Sequence, residues 1–158
     1  MTKYESITLI NLIHQYPNNI DIIKCKYLNL LSELTIISLM DTNIFLDKIT
    51  LIHQMGCIII SYINSPDLEE FDIIASGTII IEPKIIRGGQ NVGHIEDIVV
   101  KNNFRGKGIS KDILEELKSI AREKNCYKVI LDCDESLKTF YNKCEFEEKG
   151  LQMGIYFL

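Results

Sequence analysis

The sequence predicts an α/β sandwich, one mixed β-sheet flanked by helices, and three observations point to it. Runs of β-branched residues alternate with stretches whose apolar residues recur at three- and four-residue spacing, the periods of strand and helix. The chain has 158 residues, one domain's worth, and no repeat, low-complexity tract or Pro/Gly linker divides it. Hydrophobic residues make up 46% and charged residues 25%, the balance of a chain able to bury a core. A single domain over 1–158 is therefore expected.

Taken in order, Ile7 to Ile13 carries apolar residues at 7, 9, 10, 12 and 13 and reads as a buried strand. Tyr16 to Asn19 is a turn signal. From Asp21 onward, Ile22, Ile23, Lys26, Tyr27, Leu30, Leu31 and Leu34 fall at helical spacing. Asp41 or Thr42 caps a second helix with Phe45, Leu46, Ile49, Ile52 and Met55 on its inner face. Cys57 to Ile63 and Asp72 to Ile81 are β-branched runs separated by Asn64-Ser65-Pro66, the pattern of a hairpin. Gly88-Gly89-Gln90-Asn91 marks a flexible loop ahead of a third run, Val92 to Val100. Ile109 to Lys124 is the clearest helix, with Ile109, Ile113, Leu117, Ile120 and Ala121 on one face. Tyr127 to Cys133 is again a strand, Leu137 to Lys143 a short helix, and Glu148 to Phe157 a final strand.

Composition excludes several function classes. Seventeen basic against 22 acidic residues give a net charge of −5, which argues against sequence-independent nucleic-acid binding. The longest aliphatic runs are three residues, far short of the roughly 20 needed for a membrane span. MTKYESITLI lacks a basic segment followed by a long apolar stretch, so no secretory signal is expected. Cys25, Cys57, Cys126, Cys133 and Cys144 include no Cys-x-x-Cys pair, and His14, His53 and His94 are scattered. Neither a metal site nor a disulfide framework is expected, and a reducing, cytoplasmic compartment is the simplest reading.

The first chemical signal is Arg105-Gly106-Lys107-Gly108-Ile109-Ser110, between a predicted strand and the N-terminus of the strongest predicted helix. Glycines let a ligand approach the backbone, and the first-turn N–H groups lack intrahelical partners. The helix dipole adds about half a positive charge. Arg105 and Lys107 supply full charges, so a phosphate or pyrophosphate is the expected ligand. The spacing fits neither the P-loop nor the dinucleotide fingerprint, since Lys111 stands where the latter needs glycine.

This loop instead resembles the Arg/Gln-x-x-Gly-x-Gly/Ala signature of the Gcn5-related N-acetyltransferases (GNAT), with Ser110 at the usually Gly or Ala position. The blocks around it are Gly93-His94-Ile95-Glu96-Asp97-Ile98-Val99-Val100, Asn125 to Cys133 and Phe140 to Phe146. In order and spacing they are similar to the glucosamine 6-phosphate N-acetyltransferase subfamily, densely from Ile79 to Phe146. Leu30-Leu31-Ser32-Glu33-Leu34-Thr35 resembles its first-helix end.

The resemblance implies the GNAT fold, with a central mixed, mostly antiparallel sheet, and attack of a sugar amine on the thioester of acetyl-CoA. Ile98, Val99 and Val100 would hold the pantetheine arm. The loop Arg105, Gly106, Lys107, Gly108, Ile109, Ser110 and Lys111 would hold the pyrophosphate. The strand carrying Val100 would diverge from that beginning at Tyr127, with the thioester in the gap. Tyr141 matches the tyrosine beside the CoA sulfur. Full proton transfer from an ordinary phenol to a thiolate is uphill by roughly 2 kcal/mol, so a hydrogen bond to the leaving thiolate is the better expectation.

Glu96 and Asp132 match residues that contact the amino sugar, and either could accept the amine proton. Asp97, next along the strand, is expected on the opposite face from Glu96. Thr35, Lys84, Arg87, Tyr127 and Lys128 match substrate-contact segments, and Tyr156 stands where the family commonly has an arginine for the sugar phosphate. His94 is expected to be structural. A homodimer whose C-terminal strands cross between subunits is implied, with no nucleic-acid or membrane partner. Other amines, or a non-catalytic acyl-CoA-binding module, are the alternative readings.

Overall fold

The computed structural model describes residues 3–66 and 70–157. Met1, Thr2, residues 67–69 in the β2–β3 connection and Leu158 at the end of the expected crossing tail therefore lie outside the described residues. Five strands form one sheet in the order β1-β2-β3-β4-β5: Glu5–Thr8, Gly56–Ile63, Asp72–Glu82, Asn91–Val100 and Cys126–Ile130. The pairings β1–β2, β2–β3 and β3–β4 run antiparallel, and β4 with β5 is parallel. This is the mixed, mostly antiparallel sheet expected.

Helices cover both faces. On one lie α1 (Leu9–Gln15), α2 (Ile20–Leu31) and α3 (Thr42–Met55), whose Leu9, Leu12, Ile23, Leu30, Phe45 and Ile49 pack against Ile58, Ile60 and Ile73. On the other lies α5 (Ile109–Glu123), with Ile113, Leu114 and Leu117 fully buried against Ile59, Ile74, Ile79 and Ile95. Neighbours along a strand, such as Ile59 and Ile60, thus serve opposite cores, as period-two alternation requires. Burying each such side chain is worth about 1.5–3 kcal/mol. Gly77 permits α5 to lie close to the sheet: a Cβ there would stand 2.5 Å from Ile98 Cδ1 and 2.7 Å from Ile113 Cγ2.

Two expectations are corrected. The predicted strand Ile7–Ile13 is a four-residue strand followed at once by α1. Leu9, Leu12 and Ile13 sit at helical spacing and are buried, and Thr8 caps the helix by accepting the Asn11 N–H at 3.3 Å. The apolar run satisfied both periods, and the cap decides it. The predicted final strand is not formed: 147–157 have no regular structure, and Leu151, Met153, Ile155, Tyr156 and Phe157 are 76–93% exposed. A strand needs a partner for its backbone groups, and among the described residues none is paired to this segment.

Smaller departures matter for the site. The predicted flexible loop is a tight turn, α4 (Ile86–Gly89), in which Arg87 (φ 57°) and Gly88 (φ 67°) are left-handed. Strand β5 stops at Ile130 instead of Cys133, so 131–134 leave the sheet. The short C-terminal helix α6 spans Lys138–Lys143 after one 3-10 turn.

Candidate active site

Strands β4 and β5 form a fork. They pair from Asn91/Cys126 to His94/Ile130, and beyond that β4 continues for six residues while β5 ends. At the mouth of the fork β4 is bulged. Thr78 pairs with Glu96 and Ser76 with Val99, so two residues, Asp97 and Ile98, face Gly77 alone. Asp97 takes φ 53° to accommodate this. The bulge interrupts the period-two alternation where Glu96 and Asp97 stand, and both side chains are exposed. Ile98 and Val100 pack toward the α5 core and Val99 toward the other.

The Arg105–Lys111 loop follows β4 directly. Asn102–Phe104 form a 3-10 turn, and Gly106 (φ 74°) and Gly108 (φ 86°) then bend the chain into α5. A Cβ at either glycine would meet open space, so it is their left-handed backbone, not crowding, that favours glycine. The N–H groups of Lys111 and Asp112 close on the Gly108 carbonyl at 2.9 and 3.1 Å. Those of the residues ahead of them begin the helix without an intrahelical acceptor. Arg105 donates from Nε to the Val100 carbonyl (2.9 Å), and Lys107 donates to the Asn103 carbonyl (3.0 Å) while lying over the Phe104 ring.

Tyr141, on α6, is 8% exposed and held edge-on between Phe140 (centroids 5.0 Å) and Phe146 (6.0 Å). Burial pushes its phenol up to about 12, with Cys133 and Cys144 adding to the shift. Tyr141 belongs to the same apolar cluster as Ile98 and Val100 of β4 and Val129 of β5, and Cys133 lies in the segment that leaves the sheet after β5. Glu96 is raised above the usual carboxylate range by burial first, then by the charges of Asp97 and Asp132, against an opposing effect of His94. The three carboxylates therefore form one electrostatic group. Asp132 Oδ2 accepts from the Gln152 side chain at 2.9 Å.

The expected cations divide. Arg87 and Lys128 both lie over the Tyr127 ring, at 5.5 and 5.6 Å from its centroid, so three predicted residues converge at the Asn91 end of β4. Lys84 is instead ion-paired with Glu82, whose other oxygen meets His94 Nε2 at 2.9 Å. Tyr156 lies in the exposed tail, and Thr35 is exposed just past α2. The Arg105–Lys111 loop stands at the far end of β4, roughly 30 Å of strand from Asn91.

Two residues at the site were not singled out from the sequence. Glu33 Oε2 accepts the Asn102 N–H at 2.8 Å and stands 3.6 Å from Arg105 Nη2. Lys118, 8% exposed on α5, pins the residues just past α6. Both act across long sequence separations, and no local pattern announces them.

The acetyltransferase (GNAT) family model matches residues 40–146. Over 90 residues the chain is 52% identical to glucosamine 6-phosphate N-acetyltransferase 1 of Dictyostelium discoideum, a stretch covering 57% of each protein. Over 94 residues it is 48% identical to probable glucosamine 6-phosphate N-acetyltransferase 2 of Oryza sativa subsp. japonica, covering 60% of this chain and 57% of that one. The matched region thus spans just over half the length of these relatives. The crystal structure of glucosamine-6-phosphate N-acetyltransferase from Arabidopsis thaliana superposes with a TM-score of 0.81 at 30% identity, over 98% of this chain and 99% of that one.

Proposed function

The chain belongs to the GNAT acetyltransferase family, and from that premise we propose that it transfers the acetyl group of acetyl-CoA to the amine of D-glucosamine 6-phosphate. The products are N-acetylglucosamine 6-phosphate, a precursor of UDP-N-acetylglucosamine, and free CoA. One observation carries the reading: a single strand, β4, has an anion loop at its end and a fork beside a buried phenol along its length. Those are the two places a pyrophosphate and a thioester of one extended carrier require.

In this reading the backbone of Ile98, Val99 and Val100 aligns the pantetheine arm, and Arg105 to Lys111 bind the pyrophosphate. The amine attacks the thioester carbonyl, the C–N bond forms, and the C–S bond breaks as the tetrahedral intermediate collapses. The amine proton passes to the Glu96–Asp132 group, directly or through water, and burial with the neighbouring charges raises Glu96 above the usual carboxylate range. Tyr141 donates a hydrogen bond to the departing thiolate. With the phenol at about 12 and a thiol near 8.5, complete transfer would be uphill by about 5 kcal/mol. The hydrogen bond stabilises the charge without that cost.

Arg87, Tyr127 and Lys128 are the phosphate-facing group, with Thr35, Asp97 and Lys84 contributing contacts; Tyr156 adds a donor without charge. The exposed tail suggests a homodimer. Leu151, Met153, Ile155 and Phe157 alternate at period two, and four large apolar side chains left in water are the mark of a strand that pairs with a second copy. All five cysteines are free, which suits a reducing cytoplasm.

The test is an amine panel with acetyl-CoA, reading released thiol. Glucosamine 6-phosphate should turn over best. Turnover of another amino sugar, a polyamine or a peptide with none on glucosamine 6-phosphate would overturn the substrate, and binding of acetyl-CoA without transfer to any amine would overturn the activity.

A further inference from the structure

Glu33 lies in the turn after α2, yet its carboxylate is built into the anion loop. Its Oε2 accepts the Asn102 N–H at 2.8 Å, a contact between residues 69 apart in sequence. The same oxygen stands 3.6 Å from Arg105 Nη2. The Glu33 side chain is 23% exposed and that of Arg105 54%. Arg105 is meanwhile fixed at its other edge, with Nε donating to the Val100 carbonyl at 2.9 Å. The guanidinium is thus oriented by the backbone, and its free edge is shared with an anion that a backbone hydrogen bond holds in place.

We propose that Glu33 is a positioning residue that limits how tightly the loop holds the diphosphate of the thioester carrier. This rests on the proposed pyrophosphate site at Arg105–Lys111. A diphosphate arriving at Arg105 must share the guanidinium with a carboxylate that cannot swing away without giving up the Asn102 N–H. The two anions compete for the same edge of one guanidinium in an exposed loop, and removing one should strengthen the other's hold. Arg105 keeps its Val100 contact either way, so loss of Glu33's charge does not leave it unoriented. The consequence is weaker capture of acetyl-CoA and faster release of CoA, the product that must leave before another turnover.

Glu33→Gln isolates the charge, because the amide oxygen can still accept the Asn102 N–H. Calorimetry with CoA and acetyl-CoA should show the variant binding about tenfold more tightly, with an unchanged melting temperature. The KM for acetyl-CoA should fall in parallel while that for the amine does not. The Arg105→Gln/Glu33→Gln double variant should show no such gain over Arg105→Gln alone. Equal or weaker binding by Glu33→Gln, or a gain that persists without Arg105, overturns the inference while leaving the acetyltransferase reading intact. A wild-type chain that binds neither thioester nor CoA overturns both.

Discussion

Lys118 Nζ stands 2.9 Å from Glu145 Oε2 and 2.7 Å from Glu115 Oε1, so a cation in the middle of α5 holds the residue just past α6. It also donates to the Cys144 carbonyl at 3.3 Å. The turn it pins is the one that carries Tyr141, and Glu145 takes φ 71° there.

Lys118→Met should keep the packing of the aliphatic stem and lose these bonds. Each net hydrogen bond to a charged group is worth about 1.5–3 kcal/mol where it is shielded, less for exposed partners. We expect the variant to be destabilised by roughly 1–3 kcal/mol in all, with a several-fold lower kcat. The pair has a signature in pH. Burial pushes the Lys118 ammonium down, but its two carboxylate partners outweigh this and hold it above its usual range. The Lys118 hydrogen bond holds Glu145 below the usual carboxylate range. A lowered carboxyl contributes stability above its ordinary value and loses it as pH falls through the folded value. The raised ammonium loses its contribution as pH climbs through its folded value. Melting curves should therefore show the widest gap between wild type and variant near neutrality, narrowing in acid and in strong base.

Tyr141→Phe should lower kcat by about 10- to 100-fold, with the KM for acetyl-CoA changed less than about threefold. Since burial pushes the phenol up to about 12, it stays protonated throughout the working range. The wild-type kcat profile should show no alkaline limb from this group between about pH 7 and pH 10. A limb in that window that disappears in Tyr141→Phe would contradict the assignment.

Glu96 offers a test in the acid direction. Burial, then Asp97 and Asp132, raise it. Removing a neighbouring charge lowers its pKa, so Asp97→Asn should move the acid limb of kcat/KM to lower pH. Glu96→Gln should abolish that limb and most of the activity. A limb unmoved in Asp97→Asn would assign the base elsewhere, with Asp132 next.

Ile155→Asp places a charge in the middle of the exposed apolar tail. Sedimentation should report a dimer for the wild type and a monomer for the variant. A wild-type monomer would remove the proposed role of the tail.

Much of this was legible in the sequence because it is local. Of the two expected caps, Asp41 and Thr42, it is Asp41 that caps α3, accepting the Asn43 N–H at 2.8 Å. The helix Ile109–Glu123 and the glycine turn before it declare themselves within twenty residues. The hairpin β2–β3 follows from two β-branched runs and the turn between them. Where elements depend on what they meet, the reading failed. The apolar positions of Ile7–Ile13 fit both periods, and burial against β2 made most of them helix. Period-two alternation in the tail was visible, but a strand exists only once paired. In the site, the bulge at Asp97 lies opposite Gly77, which α5 approaches closely, and the contacts of Glu33 and Lys118 span 69 and 27 residues. Long-range pairings of that kind leave no trace in spacing.

The most direct test of the account is the structure of the chain with acetyl-CoA bound. The diphosphate should lie over the backbone from Gly106 to Ser110 with Arg105 against it, and the thioester sulfur should sit in the β4–β5 fork within hydrogen-bonding reach of the Tyr141 hydroxyl. A diphosphate docked away from that loop, or a sulfur remote from Tyr141, would contradict it.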